Sequence, residues 1–276
     1  MFKTIATALS FSPYSETLLK EADKLRKIYE AELLIIRVSD KENHEIEKER
    51  VAQLLARLEI DASNVRTIFE HGDPAKKIIK TCKREQTDLL IVGALKRESF
   101  IKQYLGSIAR KILRKSVCST LVLIASENAW DFKRFAVDCG GEHRTRKALA
   151  TAFDLARRSG AQVVHLVRDI KLYGLTMALE EYSEDKYADV KKSYLETAAT
   201  EVEGILKEID THNIKTNIKI TVGRLESELV RFIKHSKTDL LVAPPPDHKI
   251  GILDRVFPHH LEYLFSDLPC NLLIVH

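Results

Sequence analysis

Apolar residues along this chain fall into two alternating kinds of run. Short continuous runs, such as Leu33–Ile36 inside AELLIIRVSD and Leu89–Val92 inside TDLLIVG, have the character of parallel strands buried on both faces. Between them, apolar residues recur every three or four positions, as at Leu18, Leu19, Ala22, Leu25 and Tyr29, which predicts an amphipathic helix over Ser15–Tyr29. Ser12 or Ser15 is expected to cap that helix, with Pro13 near its first turn. A strand over Phe2–Leu9, a helix through Val51, Leu54, Leu55 and Leu58, a strand over Val65–Phe69 and a helix opened by Asp73 and Pro74 complete the alternation. A helix over Ile108–Lys115 and a last strand ending near Ile124 follow. The order β-α-β-α-β-α-β-α-β implies a doubly wound parallel sheet with right-handed crossovers.

The same order then returns. After SENAWDFK, a polar linker whose Trp130 is expected to pack across the junction, RFAVDCGG reads as a first strand, Arg144–Arg158 as a helix and GAQVVHLV as a second strand. Thr238-Asp239-Leu240-Leu241 repeats Thr87-Asp88-Leu89-Leu90, and Pro269-Cys270-Asn271-Leu272 repeats Val117-Cys118-Ser119-Thr120. Duplication at this period means two copies of one domain, here residues 1–126 and 133–276. The second copy carries extra chain, with a long amphipathic helix expected over Tyr187–Ile209.

Candidate chemistry concentrates between Gly93 and Ser107. A loop that leaves the carboxyl end of a parallel strand and closes on a helix start is where open α/β sheets bind ligands. The first N–H groups of that helix lack intrahelical partners and favour an anion. Gly106 would let the backbone approach a phosphate, and the Ser107 hydroxyl would donate to it. On the residues alone, Gly-Ser before a helix is more often a plain turn and cap. The pattern is neither a Walker A loop nor GxGxxG.

These residues resemble the carboxyl-terminal signature of the universal stress protein family, G-x2-G-x9-G-[ST], with Gly93, Lys96, Gly106 and Ser107 at its spacing. GDPA before a helix, followed by [TA]-D-L and an apolar strand, is similar to the same family. The resemblance implies two tandem doubly wound five-stranded parallel sheets. It also implies an adenine nucleotide, ATP or another with magnesium, bound in the first half. The contacts it implies there are Ser10, Val38, Gly93, Lys96, Gly106, Ser107 and Ile108. Lys96 stands where the family has its second glycine and either crowds the loop or supplies a cation. Ser10 stands where the family has an aspartate that contacts the base. In the second half Asp138 keeps that carboxylate, with Leu166 near the valine position, but Pro244, Asp247 and Phe257-Pro258 replace the phosphate loop. ATP is not expected there.

Composition narrows the reading. The formal net charge of +4, from 44 basic and 40 acidic residues, is too balanced to announce nucleic-acid binding. No apolar run approaches about 18 residues and the amino terminus lacks a basic n-region and long h-region; the expectation is a soluble, cytoplasmic protein with no membrane partner. Cys82, Cys118, Cys139 and Cys270 show no CxxC pairing and read as structural thiols. His259-His260 diverge by about 100° on a helix and carry no second ligand pair, and the acidic lead-in Glu180–Asp185 reads as a solvated helix approach. Around the first loop, Lys96, Arg97, Lys102, Arg110, Lys111, Arg114 and Lys115 form either a solvated face or a positive field over a phosphate. No nucleophile with a base, paired carboxylates or metal motif stands out.

The activity implied is therefore binding without efficient turnover, in a stress-response regulator. The alternatives are a nucleotide-free adaptor acting through protein contacts and a slow ATPase. The two halves are expected to pack face to face through the edge strands ending at Ile124 and Val275, as an intramolecular pseudo-dimer. A homodimer and protein partners of unspecified kind stay open.

Overall fold

The computed structural model describes residues 2–12, 14–39, 44–96, 103–124, 132–140, 142–170, 184–222, 228–245, 249–250, 254–255, 264–265 and 268–276. Trp130, Asp247, Phe257-Pro258, His259-His260, Arg97 and Lys102 lie outside them, as does most of Glu180–Asp185.

The first half runs β1 (Thr4–Leu9), α1 (Ser15–Tyr29), β2 (Glu32–Ser39), α2 (His44–Arg57), β3 (Val65–His71), α3 (Pro74–Arg84) and β4 (Leu89–Gly93). The short antiparallel pair β5 (Leu95–Lys96) and β6 (Gln103–Tyr104) follows, then α4 (Ser107–Lys115) and β7 (Ser119–Leu123). The second half repeats this with β8 (Arg134–Asp138), α5 (Glu142–Ser159), β9 (Val163–Ile170), α6 (Glu184–Leu206), β10 (Lys215–Val222), α7 (Glu228–His235) and β11 (Leu240–Ala243). It closes with the pair β12 (Lys249–Ile250) and β13 (Asp254–Arg255), and β14 (Asn271–Ile274).

Local chemistry explains the boundaries. Asp73 caps α3, its Oδ1 accepting from the Lys76 N–H at 2.9 Å with Pro74 in the first turn. The cap of α1 differs from expectation. Tyr14 occupies the N-cap position without a side-chain bond, and Ser15 donates its backbone N–H to the Ser12 carbonyl at 2.9 Å, a turn rather than a hydroxyl cap. Between Gly93 and Gly106 the polar connection contains the β5–β6 pair, which no hydrophobic pattern signals.

The halves pair through the expected edge strands, ending near Ile124 and Val275, but edge to edge and not face to face. Their strands form one ten-stranded sheet in the order β10-β9-β8-β11-β14-β7-β4-β1-β2-β3. Within each half the pairing is parallel, and the halves meet edge to edge where β14 pairs antiparallel with β7. Pairing two exposed last strands supplies main-chain partners that packing of sheet faces would leave unmet, and it removes an edge from each half.

Helices cover both faces. On one face α1 and α2 of the first half and α5 of the second share a core that includes Leu19, Leu25, Leu54, Phe153 and Ala156. On the other, α3, α4 and α7 share a core that includes Ile78, Ile112, Leu113, Ile233 and Phe265. Arg158 of α5 donates to the Ile28 carbonyl at 3.0 Å and lies over the Tyr29 ring, fastening the helices across the junction. All four cysteines are buried and free, and burial pushes the Cys270 thiol up to about 12. Such thiols pack as small apolar groups.

The repeated Thr-Asp-Leu-Leu segments have a structural purpose. Asp88 Oδ2 accepts from the backbone N–H groups of Lys3 and Thr4 at 2.7 and 3.0 Å. Asp239 Oδ2 accepts from those of Lys133 and Arg134 at 2.9 and 2.8 Å. In each half this carboxylate anchors the start of the first strand.

Candidate functional site

In a half-sheet ordered β3-β2-β1-β4-β7 the chain reverses direction between β1 and β4, and the crevice opens at the carboxyl ends of those strands. A cavity of about 400 Å³ lies there. Its walls come from the ends of β1, β2, β4 and β7 and from the first turns of α1, α3 and α4. It is within the size range of small-molecule sites, roughly 300–1,000 Å³.

The structure brings Ser10, Val38, Gly93, Gly106, Ser107 and Ile108 together around this space. Leu9, Ile36, Val92, Ile112 and Leu123 add apolar wall. Lys96 lies in β5, and its side chain is outside the described set. Asp138 is in the other half, buried at the end of β8, where its Oδ1 accepts from the Gly140 N–H at 3.0 Å. This is an Asx-type turn within its own loop, away from the first-half cavity. Leu166 is buried in β9. Pro244 follows β11, the counterpart of β4.

Two features of the α4 end bear on chemistry. The N-cap residue is Gly106, with φ −65° and ψ 165°, so among the described residues no cap side chain bonds to the first N–H groups of the helix. Ser107 is the first helical residue rather than the cap, and it is exposed at the cavity wall. Gly93 is the second feature. Among the described residues a Cβ there would meet only Leu18, at 4.0 Å, an ordinary contact, so their packing does not demand glycine. The space that a side chain would fill belongs to the cavity.

Among the described residues, Arg37, Arg110 and Lys111 have partners within the protein. Arg37, in the wall, forms a bidentate pair with Glu47 at 2.7 and 2.8 Å and stands 4.8 Å from the Phe11 ring centroid. Phe11, with φ 53°, is held in the left-handed region between Arg37 and Arg50. Arg110 donates to the Leu105 carbonyl at 2.9 Å and to the Phe265 carbonyl at 3.1 Å. It therefore ties the loop to the second half instead of facing solvent as part of a basic field. Lys111 lies 3.9 Å from Asp73.

Sequence reasoning missed the contribution of α1. Tyr14, Thr17, Leu18 and Glu21 all line the cavity. Glu21 is 2% exposed. Its Oε1 pairs with Lys24 Nζ at 2.8 Å, while Oε2 is buried and, among the described residues, has no hydrogen-bond partner. The available signal was a carboxylate breaking the apolar stripe of Leu18, Ala22 and Leu25. Among the described residues no group of three or more His, Cys, Asp or Glu side chains is arranged to hold a metal ion, and no helix is long and apolar enough to cross a membrane.

Residues 1–123 and 133–276 each match the universal stress protein family. The universal stress protein YxiE of Bacillus subtilis is 26% identical over 147 residues, covering 45% of this chain and 99% of that protein. Among solved structures, a functionally unknown protein from Pseudomonas aeruginosa superposes with a TM-score of 0.71 at 17% identity, covering 99% of this chain and 92% of that one. A universal stress protein from Archaeoglobus fulgidus gives 0.68 at 16% identity, covering 99% and 97%.

Proposed function

The chain belongs to the universal stress protein family, as two tandem copies, and from that premise we propose that its first half binds an adenine nucleotide such as ATP and acts as a stress-response regulator without efficient turnover. The observation that carries this reading is the uncapped amino terminus of α4, with Gly106 at its cap, opening on an apolar cavity of about 400 Å³. A helix start with unsatisfied N–H groups suits phosphate, and apolar walls suit a flat base. The space beside Gly93 leaves room for close approach of such a ligand. Ser107 adds a hydroxyl at the same end. In the second half Pro244 follows the fourth strand, at the place where the first half has its loop glycine, and this does not favour ATP there.

The test is calorimetric titration of the whole protein with magnesium-ATP, beside Gly106→Asp. At this cap an aspartate would bond the first N–H groups itself and repel phosphate. Saturable binding that disappears in the variant is the expected result. Absence of heat and affinity in the wild type would reject nucleotide binding and turn attention to the adaptor reading. That reading draws its own support from the fusion of the halves into one sheet.

A further inference from the structure

We infer that Glu21, on α1, is a specificity-determining residue of the cavity, accepting a hydrogen bond from a donor on the nucleoside part of the ligand. The inference rests on the nucleotide reading above and adds to it a residue outside the family signature.

A buried carboxylate oxygen without a donor is costly, more so than a neutral group in the same condition. Glu21 Oε2 is in that condition, and its residue is part of the cavity wall. Lys24 satisfies only Oε1, from a side chain that is half exposed. At the end of β1 the cavity wall carries Ser10, which is solvent-exposed and has no carboxylate. The cavity thus has a carboxylate acceptor, delivered from a helix instead of from the end of the first strand.

The placement also defines the ligand. Helix α1 covers one face of the sheet and α4 the other, so the acceptor and the anion-binding helix start reach the crevice from opposite sides. A molecule that satisfies both has a phosphate at one part and an amine or hydroxyl donor at another, joined by an apolar surface. In a nucleotide the donor is an exocyclic amine of the base or a hydroxyl of the sugar. Both present the same chemistry to Oε2.

The experiment compares affinities of the full chain for ATP, inosine triphosphate, and the 2′- and 3′-deoxy forms of ATP, in the wild type and in Glu21→Met. Inosine replaces the base amine by a carbonyl, and each deoxy form removes one hydroxyl. The wild type is expected to bind one of the three analogues at least about tenfold more weakly than ATP, as a lost bond to a charged group implies. Glu21→Met, of similar length but unable to accept, is expected to bind ATP and that analogue within about threefold of one another. Its thermal midpoint should be equal to or above that of the wild type, because an orphaned buried oxygen has been removed; a clearly lowered midpoint would point to a structural role and count against the inference. Equal wild-type affinity for all four nucleotides would overturn it while leaving nucleotide binding intact, as would discrimination that persists in Glu21→Met. Failure of every nucleotide to bind would overturn the functional proposal itself, and the inference with it.

Discussion

Leu121 and Leu273 face each other across the antiparallel junction of β7 and β14, and they are equivalent positions of the two repeats. Their neighbours pair reciprocally, Leu272 with Val122 and Ile274 with Thr120, so a local two-fold axis passes through the leucine pair. This is the pattern of an isologous dimer interface realised within one chain. Both leucines are buried, and they belong to the core that α1 and α5 share.

Leu273→Ala is therefore expected to weaken both halves together. Truncating a buried leucine costs about 2–5 kcal/mol, and chemical denaturation should show one cooperative transition shifted to lower denaturant. A variant in which only the second half melts early would contradict the shared core.

Asp88 and Asp239 should behave as a matched pair. Asp88→Ala or Asp239→Ala leaves two backbone donors at a strand start without their acceptor, and each is expected to cost roughly 1–3 kcal/mol. The expected effect is on stability alone, since neither residue lines the cavity. Loss of nucleotide affinity in a still-folded Asp88→Ala protein would show that the motif has a further part in the site.

Arg110 ties the two halves together. The Leu105 N–H donates to the Phe265 carbonyl at 2.9 Å, and Arg110 binds the carbonyls of both residues. Arg110→Ala is expected to destabilise the protein by roughly 1–3 kcal/mol and to accelerate hydrogen exchange at the start of α4. Lys111→Ala, next to it but with an exposed side chain, should stay within about 0.5 kcal/mol of wild type. Equal effects of the two would remove the case for a pinned loop.

Acidification should weaken the fold in two stages. Burial holds the His165 imidazole, which packs edge-on to Phe232, below its usual range. Its contribution is present above about pH 6.5 and is lost as pH falls through its lowered folded value, because the unfolded chain then binds the extra proton. The carboxylates titrate later. Burial alone would raise Glu70, but bonds from Lys77, Arg84 and Thr81 outweigh it and hold the carboxyl low. Arg84 and Arg66 do the same for Glu85, and the Lys76 N–H for Asp73. Their stabilisation is present above about pH 4 and is lost as pH falls further. His165→Leu should abolish the first stage in a pH series of thermal midpoints, and Glu70→Gln should shrink the second. A single stage unaffected by either change would refute this assignment.

Periodicity and turn chemistry are local, and what depends on them was legible in the chain. The bounds of α1 and β4, the Asp73 cap and the duplication all follow from residues a few positions apart, because backbone geometry and side-chain caps act over one or two turns. The places of Gly93 at the end of β4 and of Gly106 and Ser107 at the start of α4 belong to the same category. Contacts between distant segments were beyond that reach. The apolar run in β14 announces a strand, and the family resemblance pointed to its pairing with the edge strand ending at Ile124, but that the two join edge to edge in one sheet was decided by which exposed edges could satisfy each other's main chain. Arg110 read as one of a row of surface cations until the fold brought the Phe265 carbonyl to it. Glu21 was not among the residues that the sequence singled out. Only the closure of α1 over the end of the sheet buried its carboxylate and made one oxygen part of a cavity wall, because burial is a property of the assembled layers and not of the segment that carries the residue.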